Sequence, residues 1–394
     1  MILDTAPQPT APGESLDVTL LSQGEQTGQE IATKLAAFIR GAQQSLDLAV
    51  YDLRLSDPLK AIVAGALQER AAAGVAIRIA YDADKPEPPQ VAQGMDPAPP
   101  GTGRFVQSLG YPFRRIGGPK LMHNKYIVRD LPDPDAPDDA TGACIWTGST
   151  NMTDDSWNVE ENNILQIASP ELARFYARDF ADLWQAGDIG TSGSFDTSPV
   201  TLQYAGTPVN ARVYFSPGRG PQIDAAVAER VSAAQRRVRI WSMLLNSGTL
   251  IAALGDLLAA GQVQVSGLYD RTQMASVLTQ WQDVPHNVWK IDAIRRIIAQ
   301  AGLIGKTTTP YRPDTIHDFM HAKVLVVDDT VITGSYNFSR SAEFNAENLL
   351  ILDNAALAEH YSAYIDHLMA KYQTQPLARI LPGDAPSDPA LRRS

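Results

Sequence analysis

The sequence carries one set of polar residues twice, and this repeat restricts the fold more than any other feature of its 394 residues. Each copy has a histidine, a lysine two residues later and an aspartate five residues after the lysine. The copies are His123, Lys125 and Asp130 in one half of the chain and His321, Lys323 and Asp328 in the other. A repeat of this kind indicates two similar structural units that pack against each other.

Both copies continue with a second matched block. A Gly-Ser-x-Asn segment supplies a serine and an asparagine, and a glutamate follows ten residues after the asparagine. These residues are Ser149, Asn151 and Glu161 in the first copy and Ser335, Asn337 and Glu347 in the second. Either block alone is weak evidence, since Gly-Ser-x-Asn is also a common turn sequence. Their recurrence in the same order indicates a duplication.

Strand-like and helix-like periods alternate around these blocks. Residues 46–51, 58–73 and 75–81 have the patterns of a strand, a helix and a strand, and residues 238–244, 250–260 and 263–269 repeat that order. Such alternation is typical of βαβ units. It predicts an α/β fold in which each half is a mixed β-sheet flanked by helices.

The motifs divide the chain into five segments. We predict a flexible tail at 1–16, a first half at 17–195 around His123, a linker at 196–210, a second half at 211–373 around His321 and a tail at 374–394. The first copy has an additional stretch at 131–142 that is rich in proline and aspartate. That composition predicts a surface loop inserted between two strands.

Composition limits the compartment and the partners. A net charge of −11 argues against a broad electrostatic grip on nucleic acid. Cys144 is the only cysteine, which excludes an internal disulfide. No stretch is apolar for as long as a membrane helix requires, so we expect no stable membrane insertion. Residues 1–16 lack the basic start of a signal peptide, which favours a cytoplasmic protein and leaves a secreted mature form open.

Positive charge accumulates before each histidine of the repeat. The residues are Arg104, Arg114, Arg115 and Lys120 in the first half and Arg295, Arg296, Lys306 and Arg312 in the second. In an otherwise acidic chain, these side chains predict a cleft that concentrates an anionic substrate.

The two His-x-Lys pairs can form the two halves of one phosphate site. Residues two apart on a strand project to the same side, so each imidazole stands beside an ammonium group. The ammonium binds phosphate oxygens, and the serine hydroxyls and asparagine amides of the second block can donate to the same oxygens. Two such halves that face each other enclose one phosphorus with a histidine on each side.

That arrangement suits phosphodiester cleavage without a metal or another cofactor. One imidazole attacks the phosphorus while the other protonates the leaving oxygen, and the second imidazole then activates water or an alcohol. A carboxylate that accepts the Nδ1 proton orients an imidazole and stabilises its charged form. We assign this role to Glu161 and Glu347, and the adjacent Glu160 stays an alternative to Glu161.

The paired His-x-Lys-x4-Asp and Gly-Ser-x-Asn blocks resemble those of the phospholipase D superfamily over nearly the whole chain outside the tails. The resemblance implies two similar α/β halves related by a pseudo-twofold axis, with the active site between them. It implies that His123 is the nucleophile and His321 the general acid and base. It also implies a structural role for Asp130 and Asp328.

In some members of that family each histidine takes its orienting carboxylate from the opposite half. The pairs implied here are His123 with Glu347 and His321 with Glu161.

These observations predict a metal-independent phosphodiesterase of phospholipase D type that forms a covalent phosphohistidine. A phospholipid head group is the first choice of substrate, by hydrolysis or by transphosphatidylation. A nuclease acting on DNA or RNA is the second reading, and a non-catalytic phosphate- or lipid-binding protein is the third. Because one chain contains both halves, a monomer is the simplest expectation.

Overall fold

The computed structural model describes residues 14–83, 101–135, 142–190, 192–312 and 315–373. The predicted tail at 374–394 lies outside the described residues, as do residues 1–13 of the predicted N-terminal tail. Residues 15 and 16 of that tail already belong to the first strand.

The first half contains a seven-stranded mixed sheet. The strands of this half are β1 (Ser15–Leu21), β2 (Ser45–Val50), β3 (Leu53–Arg54), β4 (Ala76–Asp82), β5 (Phe113–Ile116), β6 (Lys125–Arg129), β7 (Cys144–Gly148), β8 (Met152–Thr153) and β9 (Asn162–Ala168). Its helices are α1 (Gly28–Arg40), α2 (Asp57–Ala72), α3 (Thr102–Leu109), α4 (Asp154–Asn158) and α5 (Pro170–Ala186). The sheet order is β1-β9-β7-β6-β2-β4-β5, and β3 pairs with β8 separately.

The second half repeats this plan. Its strands are β10 (Val200–Tyr204), β11 (Thr207–Ser216), β12 (Arg237–Ser242), β13 (Gln264–Asp270), β14 (Ile304–Lys306), β15 (Lys323–Val327), β16 (Thr330–Gly334) and β17 (Glu347–Asp353). Its helices are α6 (Gly220–Ser232), α7 (Gly248–Ala260), α8 (Arg271–Gln282), α9 (Val288–Gln300) and α10 (Ala355–Tyr372). The order β10-β11-β17-β16-β15-β12-β13-β14 matches the first sheet strand for strand, with β10 added at the edge.

Local sequence accounts for the elements that begin each half. Thr27 and Glu30 form a reciprocal capping box at the start of α1, which satisfies backbone donors that a helix start leaves free. Ile31, Leu35 and Ile39 recur at helical spacing on α1 and are buried. All six residues of β2 are buried, as expected for a strand covered on both faces.

The two sheets share one core. Helices α5 and α10 lie between them, and Tyr176 and Phe180 of α5 belong to the same buried cluster as Tyr361 and Ile365 of α10. Helices α1 and α2 cover the outer face of the first sheet, and α6, α7 and α9 cover that of the second. The structure therefore has the predicted α/β architecture of two similar halves, packed as alternating helical and sheet layers.

Reciprocal hydrogen bonds mark the pseudo-twofold axis between the halves. Thr147 at the end of β7 donates to the Asn348 side chain at 3.2 Å, and Asn163 donates to Thr333 at the end of β16 at 2.8 Å. The threonine of each half is therefore hydrogen-bonded to the asparagine of the other half, as expected for a duplicated unit.

The predicted linker differs from the structure, whereas the predicted insertion lies between the expected strands. The linker predicted at 196–210 is wrong in its extent, because β10 and the start of β11 occupy most of it and form an antiparallel hairpin. The insertion predicted at 131–142 does lie between two paired strands, β6 and β7, whereas Asp328 and Asp329 alone connect β15 to β16. Residues 136–141 of the insertion lie outside the described residues.

The motif aspartates hold the backbone at equivalent turns. Asp130 accepts hydrogen bonds from the backbone amides of Gln43 and Gln44, each at 2.7 Å. Asp328 accepts from the backbone amides of Gln235 and Arg236, each at 2.8 Å. Both aspartates have positive φ, 61° and 51°, in the left-handed region that non-glycine residues rarely adopt. Their contacts are structural, as expected.

Within the described residues, no helix combines the length and apolar character needed to cross a membrane.

Candidate active site

His123 and His321 lie directly before equivalent strands of the two sheets. Lys125 is the first residue of β6 and Lys323 the first of β15, so each His-x-Lys pair sits where a central strand begins at the boundary between the halves. Both histidines are 7% exposed. Each lysine ammonium donates to the backbone carbonyl of the histidine two residues before it. Imidazole and ammonium are therefore held side by side in both copies.

Residues of the second half bind both the backbone and the side chain of His123 in the first motif. The backbone amide of His123 donates to the carbonyl of Ala346 at 2.8 Å. Nδ1 of His123 lies 2.7 Å from Oε2 of Glu347, at the start of β17. A carboxylate at that position fixes the proton on Nδ1 and leaves Nε2 as the free nitrogen. This is the cross-half contact that the family resemblance implies.

Burial sets the protonation of the four central groups. It lowers the pKa of His123 to about 4, against the opposing effect of Glu347. Burial also lowers the pKa of Lys125 to about 7. The pKa of His321 and that of Lys323 are well below their usual values, again first because of burial and then because of neighbouring cations. The four side chains therefore form one cluster in which added negative charge stabilises the protonated forms.

Asn151 and Asn337 occupy equivalent positions in the two halves, two residues after Ser149 and Ser335. The side-chain oxygen of each is buried and has no hydrogen-bond partner among the described residues. Buried amides are normally satisfied, so a matched pair without partners indicates a function at the cleft. Because the nitrogen and oxygen of an amide are interchangeable by a side-chain flip, either residue can present donors to a phosphate.

Comparison with known proteins identifies the family. The family model described as "Cardiolipin synthase, PLD-like domain" matches residues 35–184 and 227–369, which together exceed half of the chain and contain both His-x-Lys motifs. The chain belongs to the phospholipase D-like family. The resemblance on which the sequence analysis relied is confirmed.

Relatives of this phospholipase D-like protein match only part of its length. It is 28% identical over 137 residues to a protein named phospholipase D from Rickettsia bellii, covering 34% of this chain and 58% of the relative. It is 28% identical over 163 residues to mitochondrial cardiolipin hydrolase from Xenopus laevis, covering 41% of this chain and 65% of the relative. This chain thus spans about three fifths of the curated relatives that it matches.

A solved structure matches the fold over both halves. Phosphatidylserine synthase from Haemophilus influenzae superposes with a TM-score of 0.59 at 13% identity, covering 90% of this chain and 86% of that one. The similarity confirms the phospholipase D-like fold with two repeats.

The second histidine of this phospholipase D-like site has a different partner from the first. Nδ1 of His321 lies 3.0 Å from Oδ1 of Asn162, at the start of β9. Glu160 is farther away, with Oε2 at 3.6 Å from Nδ1. The Asn162 amide donates to that same Glu160 oxygen at 2.9 Å. An amide therefore stands between His321 and the nearest carboxylate.

The predicted pairing of His321 with Glu161 is wrong. Glu161 is completely buried, and its Oε2 accepts from the ammonium of Lys306 at 2.6 Å. Its Oε1 accepts from the hydroxyls of Tyr372 and Ser22. The pair also changes the interpretation of Lys306, which was predicted to attract substrate at the cleft mouth but is 1% exposed and neutralised by Glu161.

An extra residue in the first half explains the misassignment. The amide of Ser149 donates to the carbonyl of Asn163, and that of Ser335 donates to the carbonyl of Asn348, so these asparagines are equivalent. Asn162 is therefore the counterpart of Glu347. The intervening segment is one residue longer in the first half, where it forms α4, while a 3-10 turn at Ser341–Glu343 replaces that helix in the second. Counting from the motif asparagines misses this difference.

Ser149 is not available for the phosphate role predicted for it. Its hydroxyl donates to Oδ1 of Asn162 at 2.7 Å and accepts from the backbone amide of Asn163 at 3.0 Å. Its single proton is thus used inside the protein. Ser335 accepts from the backbone amide of Asn348 at 3.0 Å, and its contact with a phosphate stays a prediction.

Tyr51 is a site residue that the sequence analysis missed. Its ring meets the His123 ring edge-on, with centroids 4.6 Å apart, and the Lys125 ammonium lies 5.0 Å from its centroid. Tyr51 directly follows β2, and its place at the end of a buried strand is the sequence signal that could have identified it. Among the described residues, no cluster of three or more histidine, cysteine or acidic side chains is arranged to bind a metal ion.

Proposed function

We propose that this protein is a phosphodiesterase that cleaves a phospholipid head group through a covalent phosphohistidine on His123. The observation that carries the proposal is the single buried cluster of two His-x-Lys pairs, in which each half supplies the partner of the other half's histidine. Two imidazoles and two ammonium groups at one point are what an in-line displacement at phosphorus requires.

In the first step, Nε2 of His123 forms a bond to phosphorus as the bond to the leaving oxygen breaks. His321 gives its Nε2 proton to that oxygen, and an alcohol departs. In the second step, His321 removes a proton from water or from another alcohol, which attacks phosphorus and breaks the P–N bond. Lys125, Lys323 and the motif asparagines stabilise the charge on the other phosphate oxygens in both steps.

Three features favour a lipid over a nucleic acid. The chain has a net charge of −11, which opposes binding to an extended polyanion. Two large apolar side chains near the site segments face solvent: Ile316, five residues before His321, is 64% exposed, and Phe344, three residues before Glu347, is 42% exposed. Exposed apolar groups beside a site suit a substrate that sits in a lipid surface. Relatives carry the names phospholipase D and mitochondrial cardiolipin hydrolase.

The test compares phosphatidylcholine vesicles with a short DNA in the same buffer. Wild-type protein is expected to release the head group from the vesicles, and His123→Ala and His321→Ala are expected to lose that activity. His286→Ala replaces an exposed histidine and serves as the matched control. Cleavage of the DNA alone would make the protein a nuclease, and binding without turnover of either substrate would make it a non-catalytic member of the family.

A further inference from the structure

The two histidines of the site are held by chemically different groups at equivalent positions. Nδ1 of His123 faces the carboxylate of Glu347 at 2.7 Å, and Nδ1 of His321 faces the amide oxygen of Asn162 at 3.0 Å. Glu347 and Asn162 are the first residues of the matching strands β17 and β9. The duplication has therefore kept the geometry of the orienting contact and changed its charge.

A second pair of residues shows that the amide and the carboxylate have exchanged positions between the halves, and that neither group has been lost. Two residues before Glu347, Asn345 donates its amide to Oε1 of Glu347 at 3.0 Å. Two residues before Asn162, Glu160 accepts the Asn162 amide at 2.9 Å. The same two residue types stand in opposite order in the two halves. In one half the carboxylate touches the imidazole, and in the other the carboxylate touches the amide that touches the imidazole.

The orientation of Asn162 follows from its surroundings. Its nitrogen donates to Glu160, and its oxygen accepts from Ser149 at 2.7 Å, so the oxygen is the atom that faces His321. Asn162 is completely buried. An amide oxygen only accepts, which means that Nδ1 of His321 keeps its proton and Nε2 is the nitrogen that gains and loses one.

The difference in charge separates the tasks of the two imidazoles. A carboxylate in direct contact stabilises the positive imidazolium, including one whose Nε2 is bonded to phosphorus, and makes the imidazole a better nucleophile. A neutral amide stabilises the imidazolium less, so the Nε2 proton of that histidine is transferred more readily. The other charged groups that influence His321 are Lys323, Lys125, His123 and His317, all of which disfavour its protonated form, and Glu160 at 3.6 Å.

We infer that Asn162, supported by Glu160, is the positioning residue of His321, and that the exchange of amide and carboxylate between the halves makes His123 the nucleophile and His321 the proton donor. The inference rests on the proposed function and goes beyond it, because it states which contacts fix the direction of the reaction. Burial raises the pKa of Glu160 to about 7, against the hydrogen bonds from Ser156 and Asn162, which favour its ionised form.

A leaving-group comparison tests the assignment. Release of the first alcohol is followed as a pre-steady-state burst for two diesters, one with a p-nitrophenyl leaving group and one with an alkyl leaving group. A phenolate departs with little need of a proton, whereas an alkoxide needs one. Asn162→Leu is expected to slow the alkyl burst about 100-fold or more and the p-nitrophenyl burst far less. Glu347→Gln is expected to slow both bursts by a similar factor, since it weakens the attack.

Because each comparison is made within one variant, a loss of folded protein lowers both bursts together and leaves their ratio unchanged. Asn210→Leu, which replaces an exposed asparagine of β11, is the matched control and is expected to keep the wild-type ratio. Equal slowing of both diesters by Asn162→Leu, or leaving-group selectivity in Glu347→Gln, would overturn the inference. Failure of the wild-type protein to release alcohol from either diester would instead reject the proposed function.

Discussion

Glu347 in the second half accepts the Nδ1 proton of His123 in the first half over a distance of 2.7 Å. The contact is fully enclosed, since Glu347 is 0% exposed and His123 is 7% exposed. A carboxylate in this environment interacts strongly with an imidazolium because little water competes. The orientation of the histidine of one half therefore depends on the fold of the other.

Replacing this carboxylate should impair catalysis more than folding. Glu347→Gln keeps the shape and can still contact Asn345, but it removes the charge that stabilises His123 when it bonds to phosphorus. We expect kcat to fall roughly 10²- to 10⁴-fold, with a far-UV circular dichroism spectrum like that of the wild type. Steady-state kinetics measure the change. A kcat within the error of the wild type would contradict the role of Glu347.

Activity should have an acidic optimum. In the proposed mechanism His123 attacks as a neutral imidazole, and its pKa of about 4 places the acid limb of kcat/KM near that pH. Lys125 binds phosphate as an ammonium, which is lost as pH rises through its pKa of about 7. The lowered pKa values of Lys323 and of His321, which must carry a proton on Nε2 to act as the acid, add to the loss as pH rises. Because kcat/KM reports the free enzyme, its profile should fall above pH 7, and a value that keeps rising there would contradict this account.

Glu161 and Glu160 should respond differently to the same substitution. Glu161→Gln breaks the buried pair with Lys306 and leaves an uncompensated ammonium, a change that costs about 3–5 kcal/mol. Its main effect should be a lower urea midpoint of unfolding. Glu160→Gln should lower kcat with a smaller change in that midpoint, because Glu160 acts through Asn162 on His321. The opposite outcome for the two variants would restore Glu161 to the site.

Exchanging the orienting groups between the halves should exchange the roles of the histidines. In the fourfold variant Glu160→Asn, Asn162→Glu, Asn345→Glu and Glu347→Asn, the direct carboxylate contact moves to His321. Peptide mapping of the covalent adduct should then locate the phosphoryl group on His321. An active variant whose adduct stays on His123 would show that other features of the cleft decide the nucleophile.

Much of the fold was predictable because the duplication is visible in the residues. The matched motifs and the alternating periods predicted two α/β halves, and the family resemblance implied the contact of His123 with Glu347. Equal spacing failed at Glu161, since a helix in the first half and a 3-10 turn in the second use different numbers of residues to reach the same strand position. A shift of one residue turns a strand side chain to the other face, and Asn162 took the place expected for a carboxylate.

Other errors had a different physical origin. Lys306 was predicted at the cleft mouth because sequence distance does not reveal burial, and its partner Glu161 lies far away in the chain. The hairpin of β10 and β11 was interpreted as a linker because β10 is a short edge strand, with two of its five residues buried. The burial of Lys306 depends on packing between distant segments, which local patterns do not encode, whereas the hairpin is local and turns at Ala205 and Gly206, both with positive φ.

Trapping the covalent intermediate tests the central claim most directly. Wild-type protein is mixed with a phosphodiester labelled in the retained phosphoryl group, quenched in base, which preserves a phosphohistidine, and digested for mass spectrometry. We predict label on the peptide that contains His123, label in neither peptide for His123→Ala, and no release of alcohol beyond background for that variant. Turnover by the wild type without label on either histidine would contradict the account.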